Sequence, residues 1–219
     1  MTNGEYLLKQ LHKRYTIKEN DIGADERMDK GLMHFRVKSY EIKELGHFCL
    51  FDMTGMFGLM KMETAVLSVW KKDVPLLNAD VIAVSGKKTV MAEFYDTLLK
   101  ERGEDWEKAC LSVKEKDSDL EDYTSGEHWY DSLLYSCRYA KKTKAKETRA
   151  DESVRKILDI FLDHLKEAED CEEEAKKEKI RSFAQGLLDH GGPAVDQVKK
   201  MFGEEKAKTL ILKHMYGIE

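Results

Sequence analysis

The hydrophobic residues of this chain repeat with two different periods, and the change between them separates strands from helices. Residues 5–14 have apolar positions at helical spacing, which predicts a short amphipathic helix. The polar residues 19–31 are expected to form a loop. From residue 32 onward apolar and polar positions alternate, as at Met33, Phe35 and Val37, which is typical of a half-buried strand.

Five strands are predicted in this alternating region, and their short connections indicate an antiparallel meander. They cover residues 33–38, 47–54, 59–70, 80–85 and 89–95. A hairpin turn at Gly86 joins the last two. The central strands are apolar on both sides, so the sheet needs cover on both faces.

Helical spacing returns after the sheet and supplies this cover. Helices are predicted over residues 96–116, 127–142, 151–190 and 194–215. Gly191 and Gly192 stop the third of these, and Pro193 suits the first turn of the next. The order predicts one α+β domain over residues 1–219, a three-layer α/β/α sandwich. Its sheet is placed at about 32–96 and its covering helices at about 97–219.

Composition and charge argue against several classes of function. The net charge is −5, which gives no basic field for nucleic acid, and no apolar run approaches the roughly 18–20 residues of a membrane span. The N-terminus lacks the layout of a signal peptide, so a cytoplasmic location is expected. Without a phosphate loop or a CxxC pair, no nucleotide, metal or iron–sulfur cluster is expected. Electrons for any redox chemistry would have to come from outside the protein.

Two carboxylates on neighbouring apolar strands are the candidate catalytic groups. Glu63 interrupts the apolar residues 60–67, and Asp80 stands at the start of residues 80–85. Burial and a nearby negative charge both raise a carboxyl pKa, which yields a proton donor that works at neutral pH. Taken singly, Glu63 could be solvated or paired with a lysine at a sheet edge, and Asp80 could be a turn residue. Their spacing does not show that the side chains meet.

Three further features each leave two interpretations open. Asp189 and His190 adjoin the break at Pro193, where a helix end could face a pocket or only the surface. The methionines concentrated in residues 28–62 could fill the core or line a pocket for a large flat ligand. A basic run could dock an acidic partner or form a solvated loop, and its candidate residues are Lys141, Lys142, Lys144 and Lys146.

Around the two carboxylates the sequence resembles the ferredoxin-dependent bilin reductase family, which includes the red chlorophyll catabolite reductases. The first matching blocks are residues 59–65, with Glu63 and Ala65, and residues 75–80, which end in Asp80. Later blocks follow in the family's order: Ala168-Glu169-Asp170, Phe183-Ala184-Gln185, Pro193-Ala194 and Phe202-Gly203-Glu204-Glu205. Leu67 and Gly192 occupy positions where many members have His and Asp, so the chain is identified as a divergent member.

The resemblance implies an α/β/α sandwich that holds an open-chain tetrapyrrole between the sheet and the C-terminal helices, with no metal or bound flavin. Reduced ferredoxin or flavodoxin would supply single electrons through a radical, and buried carboxyls would supply protons. Asp80 is expected to be the principal donor and Glu63 the second carboxyl, with Asp189 and His190 as further candidates. The basic run is expected to receive the electron carrier. Substrate contacts are expected on one strand, from Met62, Ala65 and Leu67.

Two other functions stay open. A non-catalytic tetrapyrrole binder or carrier on the same fold is favoured by Leu67 and Gly192, which stand where reactive groups would be expected. An unrelated α+β interaction protein would act through its charged helices. That third function would be favoured if no pigment bound and if Glu63 and Asp80 pointed to opposite faces of the sheet or to solvent.

Overall fold

A nine-stranded antiparallel sheet forms the middle layer of the fold. The computed structural model describes residues 1–100 and 105–218. Within them the strands lie in the order β1-β3-β4-β5-β6-β7-β9-β8, and β2 also pairs with β3. Their bounds are β1 Ile17–Glu19, β2 Arg27–Lys30, β3 Met33–Ile42, β4 Gly46–Gly55, β5 Met60–Val69, β6 Leu76–Val84, β7 Lys87–Tyr95, β8 Glu121–Asp122 and β9 Tyr139–Lys144.

Helices cover both faces of this sheet. In the described residues they are α1 Asn3–His12, α2 Asp105–Glu115, α3 Arg149–Glu167, α4 Glu173–His190, α5 Pro193–Phe202 and α6 Glu204–Lys208. The last of them continues as a π-helical segment, Thr209–Met215. We call the side covered by α1, α2 and α3 the first face of the sheet, and the side covered by α4, α5, α6 and the π-helical segment the second face.

Each face has its own hydrophobic core, because successive side chains of a strand point to opposite sides. Leu67 and Phe94 belong to the core under the first set of helices. Phe51 and Val66 belong to the core under the second set. The predicted α+β sandwich with cover on both faces is therefore confirmed.

Short sequence signals set the helix ends. The hydroxyl of Thr2 accepts the N–H of Glu5 at 3.2 Å, and the Glu5 carboxylate accepts the N–H of Thr2 at 2.9 Å, so the two residues cap α1 reciprocally. The predicted stop at Gly191 and start at Pro193 are confirmed, since α4 ends at His190 and α5 begins at Pro193. Gly191 has a φ of 84°, which a residue without a Cβ adopts readily.

The sheet extends beyond its predicted range of about 32–96 at both edges. Residues 19–31 were expected to be a loop, but they include β2, which pairs with β3. Residues 127–142 were expected to be helical, but they contain the first part of β9, which pairs with β7. Both predictions are wrong for the same reason: an open sheet edge offers unpaired backbone groups, and pairing with them outweighs local helical spacing.

Three predicted helix boundaries are also wrong. The helix expected over residues 151–190 is two helices, because α3 ends at Glu167 and α4 begins at Glu173. The helix expected over residues 194–215 is broken at Gly203, where φ is 84°. Residues 96–100 of the helix expected over 96–116 are not helical, and residues 101–104 of that prediction lie outside the described residues.

Candidate functional site

A cavity of about 570 Å³ lies between the second face of the sheet and the C-terminal helices. This volume falls within the range of small-molecule sites. The cavity walls are mainly apolar. The sheet contributes Phe35, Phe51, Ile82 and Met91, among others, and the helices contribute Phe183, Leu187, Val198, Met201 and Met215.

The methionines of residues 28–62 divide between this cavity, the core and the surface. Met28 is buried in the core and Met56 is exposed. Four others line the cavity: Met33, Met53, Met60 and Met62. The unbranched thioether side chain adapts its shape to a neighbour, so this wall suits a large flat ligand. Some of these methionines therefore lie in the core and others line the cavity.

Asp80 presents its carboxyl to this cavity. It lies opposite Thr64 in the β5–β6 ladder, and the Thr64 hydroxyl donates to Asp80 Oδ1 at 2.5 Å. Burial raises the pKa of Asp80 to about 7, and the neighbouring charge of Glu93 adds to this effect, although the Thr64 hydrogen bond opposes it. A carboxyl with a pKa near neutrality is suited to act as a general acid.

Glu63 lies on the first face of the sheet, so the two predicted carboxylates do not meet. The ladder pairs Glu63 with Val81 and Thr64 with Asp80, and neighbouring positions on a strand face opposite ways. Glu63 Oε1 accepts the N–H of Gly4 at 2.8 Å, in the first turn of α1. Burial raises the pKa of Glu63, while the Gly4 hydrogen bond favours its charged form. Glu63 thus anchors α1 and does not line the cavity that Asp80 faces.

Two of the three predicted substrate contacts are likewise on the first face. Ala65 and Leu67 are fully buried in the core beneath α1 and α3. Met62 lines the cavity, because even-numbered positions of β5 face the second side. The predictions for Ala65 and Leu67 are therefore wrong, and the missing His at Leu67 says nothing about the chemistry of the cavity.

The residues at the end of α4 do not line the cavity. Asp189 and His190 are exposed. The Gln185 amide donates to Asp189 at 2.7 Å, and the His190 ring lies 5.7 Å from the ring of Trp129. The expected second proton source is thus absent from the cavity wall at these positions, because both follow the last buried turn of α4. Gly192 does line the cavity but brings no side chain.

Glu93 is a cavity carboxyl that the sequence reasoning missed. It lies on β7 opposite Asn78 and on the same face as Asp80. Its Oε2 accepts the Tyr95 hydroxyl at 2.8 Å, and its Oε1 lies 3.4 Å from Arg138 Nη1. Glu93 interrupts an apolar strand just as Glu63 does, and that interruption was the available signal.

Tyrosine hydroxyls surround these two carboxyls. Burial raises the pKa of Tyr95, Tyr130 and Tyr216 above the usual range, so all three stay protonated and able to donate hydrogen bonds. The side-chain amide of Asn78 lies beside them and forms a hydrogen bond with Tyr216, which opposes the rise in the pKa of that tyrosine.

The basic run lies on β9 and the turn that follows it. Lys141 is buried, and Lys141 and Lys142 form ion pairs with the carboxylates of β8, at 2.9 and 2.8 Å. Lys144 and Lys146 are exposed, with no ion pair to any described residue. The prediction that Lys141 contacts a partner is wrong, because the strand turns its side chain inward.

The described residues form neither a metal site nor a membrane-spanning helix. Residues 1–100 and 105–218 bring no three His, Cys, Asp or Glu side chains together as a metal site would. None of the helices in the same ranges is long and apolar enough to cross a membrane.

The cavity and the sheet can be compared with known proteins. No protein-family model matches the chain, and no curated protein sequence matches it. This chain is similar in structure to phytochromobilin synthase from tomato, which was solved in complex with biliverdin. The TM-score between the two structures is 0.76, and their sequences are 11% identical. The match covers 97% of this chain and 81% of the synthase chain. This chain has the fold of phytochromobilin synthase. The fold expected from the motifs around Asp80 is therefore confirmed.

Proposed function

We propose that this protein binds an open-chain tetrapyrrole, a bilin, in the cavity and reduces it with electrons from reduced ferredoxin or flavodoxin. One observation carries the proposal: the Asp80 carboxyl, with a pKa of about 7, faces a mainly apolar cavity of ligand size. The shared fold supports it, since the tomato synthase was solved with biliverdin.

The proposed reaction adds two electrons and two protons to one double bond of the pigment. The carrier delivers its electrons singly, so the pigment passes through a radical. The pigment takes up one proton from solvent as it binds, and Asp80 gives the other to the reduced pigment and is reprotonated from solvent between turnovers. Because the apolar walls exclude bulk water from the bound pigment, a positioned acid is the efficient source of this second proton.

The electron carrier needs a docking surface, and Lys144 and Lys146 are its best candidates. Both side chains are exposed at the end of β9, next to the strand that carries Glu93. Exposed positive charges attract an acidic protein and speed the encounter, an effect that falls as salt rises. A reduction rate that falls steeply with salt, and less steeply after Lys144→Ala, would support this surface. A salt dependence identical in wild type and variant would contradict it.

A non-catalytic bilin carrier is the second candidate. Gly192 favours it, because this residue lines the cavity at a position where many bilin reductases have an acid and offers no proton. The interaction-protein alternative is supported by the placement of Glu63 and Asp80 on opposite faces. It is weakened because Asp80 faces a cavity and not solvent.

Absorbance titration with biliverdin, followed by addition of a reduced ferredoxin system without oxygen, tests the proposal. Binding should shift the pigment spectrum, and reduction should then bleach or shift it, with a product two hydrogens heavier by mass spectrometry. Asp80→Asn should keep the affinity and lower turnover by about 100-fold or more, since a general acid contributes that much. Asp189→Asn is the matched control and should behave as wild type.

Each outcome selects one function. Binding without reduction by either ferredoxin or flavodoxin would establish the carrier. Absence of binding would reject both bilin functions in favour of the interaction protein. Unchanged turnover in Asp80→Asn would remove Asp80 from the reaction.

A further inference from the structure

The cavity is lined by negative groups without positive ones. Its described walls include the carboxyls of Asp80 and Glu93 and no lysine, arginine or histidine. A low-dielectric cavity of this kind penalises an anion and favours a ligand with N–H donors or a positive charge. Three of the four ring nitrogens of biliverdin carry such N–H groups, and protonation of the fourth, an imine nitrogen, makes the conjugated ring system a cation.

The surroundings of Glu93 differ from those of Asp80. Glu93 accepts a hydroxyl hydrogen bond from Tyr95, and its Oε1 lies 3.4 Å from the guanidinium of Arg138. Asp80 accepts one hydrogen bond, from Thr64, and no cation lies among its hydrogen-bond or ion-pair partners. Two carboxyls in one site with different surroundings can divide the roles of acid and counter-charge.

We propose, resting on the bilin-binding function, that Glu93 is the counter-ion of the bound pigment. Its carboxylate pairs with the protonated, cationic form of the tetrapyrrole, while Asp80 delivers the proton that is added. The two residues lie diagonally across the β6–β7 ladder, with Glu93 opposite Asn78 and Asp80 opposite Met91. A flat ligand on this face of the sheet spans both, because diagonal neighbours are about 7 Å apart.

The other ionisable groups near these carboxyls come from several elements. Arg138, the residue before β9, approaches Glu93, and the charge of Glu63 on the opposite face raises the pKa of Asp80. The remaining titratable groups at the cavity are hydroxyls: Tyr95, Tyr123, Tyr130 and Tyr216. The described lining residues of α4, α5 and the π-helical segment carry no charge. Glu93 is therefore the charged group best placed to hold a cationic pigment.

The test is a pH titration of the bound pigment, followed by absorbance. The ligand is biliverdin, and the full chain carries Asp80→Asn. This substitution ensures that Asp80 does not titrate in the same pH range as the pigment. The bound pigment should hold its proton to a higher pH than free pigment does. Glu93→Gln should lower the pigment pKa by about one to two pH units, the usual effect of losing one close opposite charge.

A second variant keeps the test independent of folding defects. Arg138→Gln removes the cation that competes for Glu93, so the pigment pKa should rise. General disruption of the cavity would move both variants in the same direction, whereas the counter-ion moves them in opposite directions. Glu121→Gln, an exposed position on β8, is the control and should leave the titration unchanged.

Three results would overturn the inference. A pigment pKa unchanged by Glu93→Gln, when the wild type binds and reduces biliverdin, rejects the counter-ion and leaves the proposed function standing. Shifts of the same sign in both variants also reject it. Wild-type protein that binds no biliverdin rejects the counter-ion together with the function on which it rests.

Discussion

Replacing Asp80 by Asn should change how protein stability depends on pH, even without a ligand. The pKa of this carboxyl is about 7 in the folded protein against an ordinary value of 3.8. That difference corresponds to roughly 4 kcal/mol in the free energy of unfolding. The Thr64 hydroxyl can donate to an Asn oxygen as it does to Asp80, so the substitution mainly removes the titration.

The sign follows from proton binding. Between the two pKa values the folded state holds the Asp80 proton and the unfolded state does not. The free energy of unfolding of the wild type should therefore fall as pH rises from about 4 to about 7, and then level off. Asn cannot ionise, so this contribution is missing from the variant. The stability of Asp80→Asn relative to wild type should grow through the same window, by at most roughly 4 kcal/mol.

Urea unfolding of both proteins at several pH values, followed by tryptophan fluorescence, measures this difference. Subtracting the two curves cancels the other titrating groups, provided that the urea m-values agree. Asp189→Asn is the control, because it changes an exposed carboxyl, and its pH dependence should match wild type. If the stability difference for Asp80→Asn is the same at about pH 5 and about pH 8, the carboxyl ionises normally and cannot be the acid proposed above.

Three other substitutions test the structure directly. Glu63→Ala should lower the free energy of unfolding by about 1–2 kcal/mol, because it removes an acceptor from the first turn of α1. It should leave biliverdin affinity unchanged, and lost affinity would contradict its place on the first face. Lys176→Met should cost about 3–5 kcal/mol in urea unfolding, because the buried Lys176 ammonium lies 2.9 Å from Asp73, and a cost below about 1 kcal/mol would refute this pairing. Phe57→Gly should stabilise by about 1 kcal/mol in thermal unfolding, because Phe57 has a φ of 56° and is 89% exposed. Leu59→Gly, at an exposed position with negative φ, should give no gain, and equal effects would contradict the backbone explanation.

Local sequence patterns were sufficient to predict an element where its formation depends mainly on its own residues. The meander of β3 to β7 followed from alternation and short connections, since a short connection leaves two strands little choice but to pair as neighbours. The break at Pro193 followed from backbone geometry that only glycine and proline impose. The motifs around Asp80 indicated the fold that the tomato synthase shares.

Local patterns failed where an element depends on a distant one. β9 forms because the edge of β7 is open, which no feature of residues 127–142 reveals. Its pairing also turns Lys141 inward, to an ion pair in place of the expected partner. The end of α4 raised a similar difficulty, since the direction in which Asp189 points depends on how α4 packs on the sheet.

The sequence by itself determined that this protein has an antiparallel sheet covered on both faces, and it singled out Asp80 as a candidate acid. Only the tertiary structure decided which carboxyls share a cavity. Strand side chains alternate between faces, so the pairing register separates Glu63 from Asp80 and brings Glu93 to the same side. A register shift of one residue would reverse these assignments, and register is fixed by packing across the whole sheet. The site was therefore settled by contacts between strands, which a single strand's sequence does not record.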